Sequence, residues 1–322
     1  MNMNEPFLLK PFPKDYLWGG NRLNEEFNKN INVYPLAETW ECSTHPDGQS
    51  TFAGRGLGEI LNEHPEYIGS HPNAMGGNLP VIVKFIDAKQ KLSVQVHPDD
   101  EYAAREGQLG KTEMWYVLEA DKGAEIIYGF NGKVTAEEVK RAAEAGVIEN
   151  YLNKVPVKKG DVFFIEAGTV HALGAGCLVA EIQENSNLTY RIYDYDRTDR
   201  NGKKRSLHLN QALEVADFNV KSGYLQPMRV LKYRQGYAAE KLCRCKYFEV
   251  DRVLVNSYEA SSPPLLKTSA LSFNILLFIE GEGVLAYGEK ELAVKKGDCV
   301  FVPADCVKIN LRGSFCMLKI NC

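Results

Sequence analysis

The chain has 322 residues and a formal net charge of −4, with its Lys and Arg scattered rather than clustered, so it offers no electrostatic footprint for nucleic acid. Its 44% apolar content suffices for two compact cores, yet no segment approaches about 18 uninterrupted apolar residues, which excludes a membrane-spanning helix. The N-terminus lacks the basic start and apolar run of a signal peptide, and the eight cysteines form no CxxC pair, so a cytoplasmic address with reduced thiols is expected rather than a disulfide framework or a thiolate metal site.

Residues 1–50 are aromatic and punctuated by Gly, Pro, Asn and Asp, a pattern expected to give short strands rather than helices. LGEILNEHPEYI, within Gly56–Ile68, predicts a short helix stopped at Pro65, which leaves His64 and His71, like His45 before it, as surface residues. LPVIVKFIDAKQKLSVQVHP then gives two β-rich runs around a polar turn at Asp87–Lys91, read as a hairpin. The second run opens the most polar stretch of the strand pattern. Gln95 and His97 lie two residues apart, as do Lys111 and Glu113, and on a strand each pair shares one face. Imidazole, carboxylate and amide oxygen are ligands that zinc accepts, and a site needs three or four of them. Taken alone, Gln-x-His is better read as an ordinary buried strand with a wet face.

Further along, Asp99–Arg105 predicts a helical turn and MWYVLEADKGAEIIYGF resumes strand character. Thr135–Gly146 is the clearest amphipathic helix, with Thr to cap its start and Gly near its end, and it reads as an insertion near 134–147. Strands and tight turns return after it and supply His171, the further histidine that a metal site needs. Glu181, Gln183, Asn187 and Arg191 follow. A second short helix within 203–220 closes the first half, with His208 expected to play no ligand role.

The chain also repeats itself. VKKGDVFFIEAGTVH at 157–171 aligns without a gap to VKKGDCVFVPADCVK at 294–308, and with one gap the match extends back to pair Glu113 with Asn274. In the second copy Lys308 stands where the first has His171. Residues needed for folding would be kept in both copies, so their restriction to the first favours a site.

Gly-x6-Ala-x3-His resembles the second cupin motif, and SVQVHPDD, GKTEMWYVLE, AGTVHALG and EIQENSNLTYRIYDYDR together resemble the type I mannose-6-phosphate isomerase family in its short bacterial form. The resemblance is strong over roughly 15–215 and weaker beyond. It implies a mostly β bicupin, two jelly-roll barrels with short helical insertions: a catalytic unit over 1–225 and a metal-free unit over 226–322. It further implies one zinc ion per chain on Gln95, His97, Glu113 and His171, a hexose phosphate as ligand, Arg191 at the pocket, and Lys111 and Ser93 near the phosphate. The implied reaction interconverts mannose 6-phosphate and fructose 6-phosphate by moving a proton between C2 and C1 through an enediol. For the proton carrier the first candidate is Glu181, whose carboxylate would be tunable by burial, and the second is Lys111; a Glu181–Arg191 salt bridge is the structural alternative. Other metal-cupin chemistry and a non-enzymatic, sugar-phosphate-binding regulatory bicupin are the competing readings. Oligomeric state is open, with a monomer favoured.

Overall fold

β-branched and aromatic runs broken by turn residues dictate strands, and the computed structural model, which describes residues 4–72, 78–199, 201–220 and 226–322, is mostly β with few, short helices. In the first half a six-stranded sheet runs in the order Val162–Ile165, Glu113–Ala120, Cys177–Glu184, Val81–Ala88, Glu38–Cys42, Phe12–Lys14. A five-stranded sheet runs Leu152–Pro156, Glu125–Phe130, His171–Leu173, Val94–Val96, Tyr190–Tyr193. Ile86, Trp115, Val117 and Val179 of the former share one apolar cluster with Ile126 and Leu173 of the latter, so the two sheets pack face to face.

The expected hairpin at 79–98 does not form. Val81–Ala88 pairs with Cys177–Glu184 and Glu38–Cys42, whereas Val94–Val96 pairs with His171 and Tyr190–Tyr193. The connection between them passes from one sheet to the other instead of folding back within one. A second correction is the helix Arg22–Phe27 in a region read as strand and loop; its buried Leu23 and Phe27, four apart, form one apolar face. The insertion helix is Ala136–Glu144, where the Thr135 side chain accepts from Glu138 N–H and the Glu138 carboxylate reaches back, a reciprocal cap.

The second half contributes eight strands, dominated by Asn274–Tyr287 and Ile309–Asn321, to a nine-stranded antiparallel sheet. Register shifts between Phe278 and Glu280, a bulge that bends this long pair, and Gly281 is required there: its φ is +72° and a Cβ would meet the Ser314 carbonyl at 2.2 Å. The repeat is visible bond for bond. Gly160 N–H donates to Val117 O and Gly297 N–H to Phe278 O, each at 2.8 Å, while the Asp161 and Asp298 carboxylates accept from Lys158 N–H and Lys295 N–H, each at 2.9 Å. Ile165 lies opposite Glu113 and Val302 opposite Asn274, the pairing that the sequence alignment requires.

We propose 225/226 as the division between a catalytic unit and its partner; residues 221–225 lie outside the described residues. Packing crosses that division. Phe7–Leu8 pairs with Cys299–Val302 in the second sheet, and Phe7, Phe27 and Phe85 share one core with Phe273, Phe301 and Ile320. Lys29 ties the halves together through Glu41 at 2.6 Å and the Gly297 carbonyl. Glu41 is fully buried, and burial raises its carboxyl above the ordinary range against the opposing pull of Lys29. Lys29→Met is therefore expected to destabilise the fold by about 3–5 kcal/mol, because it strands a buried carboxylate. A thermal midpoint equal to that of the wild type would refute this.

Candidate active site

The site lies where the two sheets meet. His97 follows Val94–Val96 and His171 opens its strand opposite Gln95 in the five-stranded sheet, whereas Glu113 opens its strand opposite Gln183 in the six-stranded one. The ligating atoms of His97, Glu113 and His171 lie within 4.8 Å of one another, and all three residues are buried.

Hydrogen bonding fixes which atoms face inward. His97 Nδ1 is 2.9 Å from Leu188 O and His171 Nδ1 is 2.8 Å from Thr169 O. A carbonyl only accepts, so each Nδ1 carries the proton and each Nε2 presents a lone pair. Burial keeps both rings neutral, holding His171 at about 4 and His97 well below its usual value, with Lys111 adding to both depressions. Glu113 Oε1 stands 3.4 Å from His171 Nε2 and has no hydrogen-bond partner among the described residues. Two acceptors thus face each other in a dry site, an arrangement that a cation resolves.

Lys111 supplies part of that charge, donating to Glu113 Oε2 at 2.6 Å and lying 3.0 Å from His97 Nε2, but it leaves Oε1 unmatched. Gln95 Nε2 is 3.3 Å from His171 Nε2, and its Oε1 is 3.4 Å from Ser93 Oγ. A half-turn of the amide presents its oxygen to the same point. Two imidazoles, one carboxylate and one amide oxygen fit a borderline divalent cation such as zinc.

Beside this cluster lies a cavity lined by Ser93, Gln95, Lys111, Glu181 and Arg191, together with residues to which the sequence alone did not point: Lys84, Glu38, Tyr16, Trp18 and Arg205. Four cationic side chains against Glu38 and Glu181 make its wall electropositive, suited to an anionic ligand. Lys84 had a legible signal, a lysine in the middle of a strand of six apolar residues and Asp87, all eight of them buried.

Glu181 does not pair with Arg191. Its Oε1 lies 3.2 Å from Lys84 Nζ and its Oε2 accepts from Trp115 Nε1 at 2.8 Å. Burial alone would raise this carboxyl, yet Lys111 and Lys84 hold it down at about 2. Arg191 lies opposite Gln95 on the neighbouring strand, and its buried Nε has no hydrogen-bond partner among the described residues. His208, expected to play no ligand role, brackets Arg191: its backbone N–H donates to Arg191 O at 2.8 Å and its Nδ1 accepts from Arg191 N–H at 3.3 Å.

With this geometry in place, comparison with known proteins becomes specific. A family model for the catalytic domain of type I phosphomannose isomerase matches residues 7–129, and one for the cupin domain of mannose-6-phosphate isomerase matches residues 239–321. A mannose-6-phosphate isomerase from Streptococcus mutans is 37% identical over 307 residues, covering 94% of this chain and 93% of the relative. The chain belongs to the type I mannose-6-phosphate isomerase family.

The expectation of an isomerase of this family is therefore met. The crystal structure of the mannose 6-phosphate isomerase from Bacillus subtilis superposes with a TM-score of 0.89 at 35% identity, over 99% of each chain. A zinc-bound mannose 6-phosphate isomerase, 20% identical over 98% of this chain and 99% of its own, has the same fold with a TM-score of 0.76. Among the described residues no helix is long and apolar enough to cross a membrane.

Proposed function

We propose that the protein interconverts mannose 6-phosphate and fructose 6-phosphate through an enediol, using one zinc ion on Gln95, His97, Glu113 and His171. The observation that carries this reading is the unmatched Glu113 Oε1 facing the His171 Nε2 lone pair beside an electropositive cavity. A zinc-bound relative of the same fold supports the choice of metal. When bound, zinc supplies Lewis acidity to the carbonyl and hydroxyl oxygens at C1 and C2, easing removal of a weakly acidic carbon proton.

The chain's own residues do the rest. Both oxygens of Glu181 are engaged by Lys84 and Trp115, so we assign it to holding Lys84 in place and assign proton transfer to Lys111, the other candidate that the sequence offers. Arg191 offers fixed positive charge to the enediolate or the phosphate, and Ser93 orients the Gln95 amide. The deciding measurement is conversion of mannose 6-phosphate before chelation, after it, and with zinc restored. Loss and recovery of turnover are expected. A metal-loaded protein that binds the sugar phosphate without turnover would make it a binding protein instead.

A further inference from the structure

We propose that Arg205 is a second anchor for the substrate phosphate, acting with Arg191, and that Asp194 is the positioning residue that aims it. This rests on the sugar-phosphate reading of the same cavity.

Asp194 directly follows the strand that carries Arg191, and beyond the Thr198–Lys204 bridge Arg205 lies back beside it. Arg205 Nε donates to Asp194 Oδ2 at 2.7 Å and its Nη2 to Oδ1 at 2.6 Å, a two-point clamp that fixes the plane of the guanidinium. Arg197 also pairs with Asp194 Oδ1 and is itself tied to the Lys91 carbonyl, so the carboxylate is rigidly held and only 6% of its side chain is exposed. Arg205 Nη1 keeps its donors free of any partner among the described residues.

Arg205 also stands in the wall between two adjoining cavities, the catalytic one and a neighbour lined by Asp15, Leu17 and Thr198, and Tyr16 and Trp18 share that wall. Arg191 is near enough for Arg205 to add to the lowering that burial imposes on its guanidinium. Asp194, already shared by Arg197 and Arg205, acts on Arg191 as well and offsets only part of the repulsion between Arg191 and Arg205. A neutral sugar would not relieve that repulsion. A phosphate dianion would, taking donors from both.

If instead the Asp194–Arg205 contact only clasps these two stretches of chain, its loss would lower thermal stability without separating KM from kcat. The experiment uses the zinc-loaded full chain as wild type, Arg205→Gln, Arg205→Lys and Asp194→Asn, with KM and kcat for mannose 6-phosphate and inhibition by inorganic phosphate as readouts. For Arg205→Gln we expect KM and the phosphate inhibition constant to rise together by about 10–100-fold while kcat stays within about threefold. Arg205→Lys should recover part of the loss, and Asp194→Asn should fall between. Both constants remaining within about twofold of wild type in Arg205→Gln would overturn the proposal. Should that variant not fold, Arg205→Lys alone decides, since a point charge does not reproduce the fork and KM must still rise. Should the wild type itself show no turnover, the isomerase reading fails, and thermal stabilisation by inorganic phosphate, present in wild type and lost in Arg205→Lys, still tests the anchor.

Discussion

His171→Ala is expected to lower kcat/KM for mannose 6-phosphate by at least about a thousandfold and to leave the purified protein short of zinc. The ring is fully buried, oriented by the Thr169 carbonyl and by edge contact with Trp115 at 5.4 Å between ring centroids, and its Nε2 faces the unmatched Glu113 oxygen. Removing it takes away one of the two imidazoles and leaves Glu113 with no opposing group on that side. Replacing a residue that merely orients a metal ligand costs 10–100-fold in affinity or activity as a rule, so losing a ligand should cost more. Metal content by elemental analysis and kinetics in excess zinc distinguish weakened binding from a damaged reaction. The control is Lys308→Ala, the equivalent position of the repeat, which is exposed and should change neither. A His171→Ala protein that keeps its zinc and turns over within about tenfold of wild type would refute the ligand assignment.

The contrast between the two copies explains why so much of this site could be read from sequence. The shared turn and strand are specified by local requirements: a glycine in the left-handed region and an aspartate that accepts from the backbone three residues earlier, both of which survive duplication. What differs between the copies, Glu113 against Asn274 and His171 against Lys308, is then chemistry rather than scaffold. Strand period predicted that Gln95 and His97 would share a face, but only the sheet register brings His171 opposite Gln95 and places Glu113 across from them on another sheet.

The errors have the same origin. Nothing local distinguishes a hairpin from two strands that part into separate sheets, so Val81–Ala88 and Val94–Val96 were expected to pair. Phe7–Leu8 joins the distant half because its partner lies almost three hundred residues away, beyond the reach of any periodicity. Lys84 and Arg205 escaped notice for different reasons. Lys84 sits in a run whose character is set by six apolar residues, with Asp87 the other charge. Arg205 resembles any other arginine of a basic loop until Asp194 is seen to hold it.

Lys111→Met is expected to reduce kcat by about 10²–10⁴-fold while the protein keeps its zinc, the range for losing a general acid–base group. The amine contacts His97 Nε2 and Glu113 Oε2, and it also lines the cavity, so it stands between the ligand cluster and the space a sugar would fill. Glu181 has a different situation: two neighbours already bond its oxygens, and a carboxylate held at about 2 accepts a proton poorly near neutrality. Glu181→Gln should therefore cost less than Lys111→Met, and its effect should come through misplacement of Lys84. Exchange of the substrate's C2 hydrogen with deuterated solvent separates the two roles, because it reports proton removal without requiring a completed turnover. If Lys111→Met still exchanges at the wild-type rate and Glu181→Gln does not, the carboxylate is the proton carrier and the lysine only balances its charge.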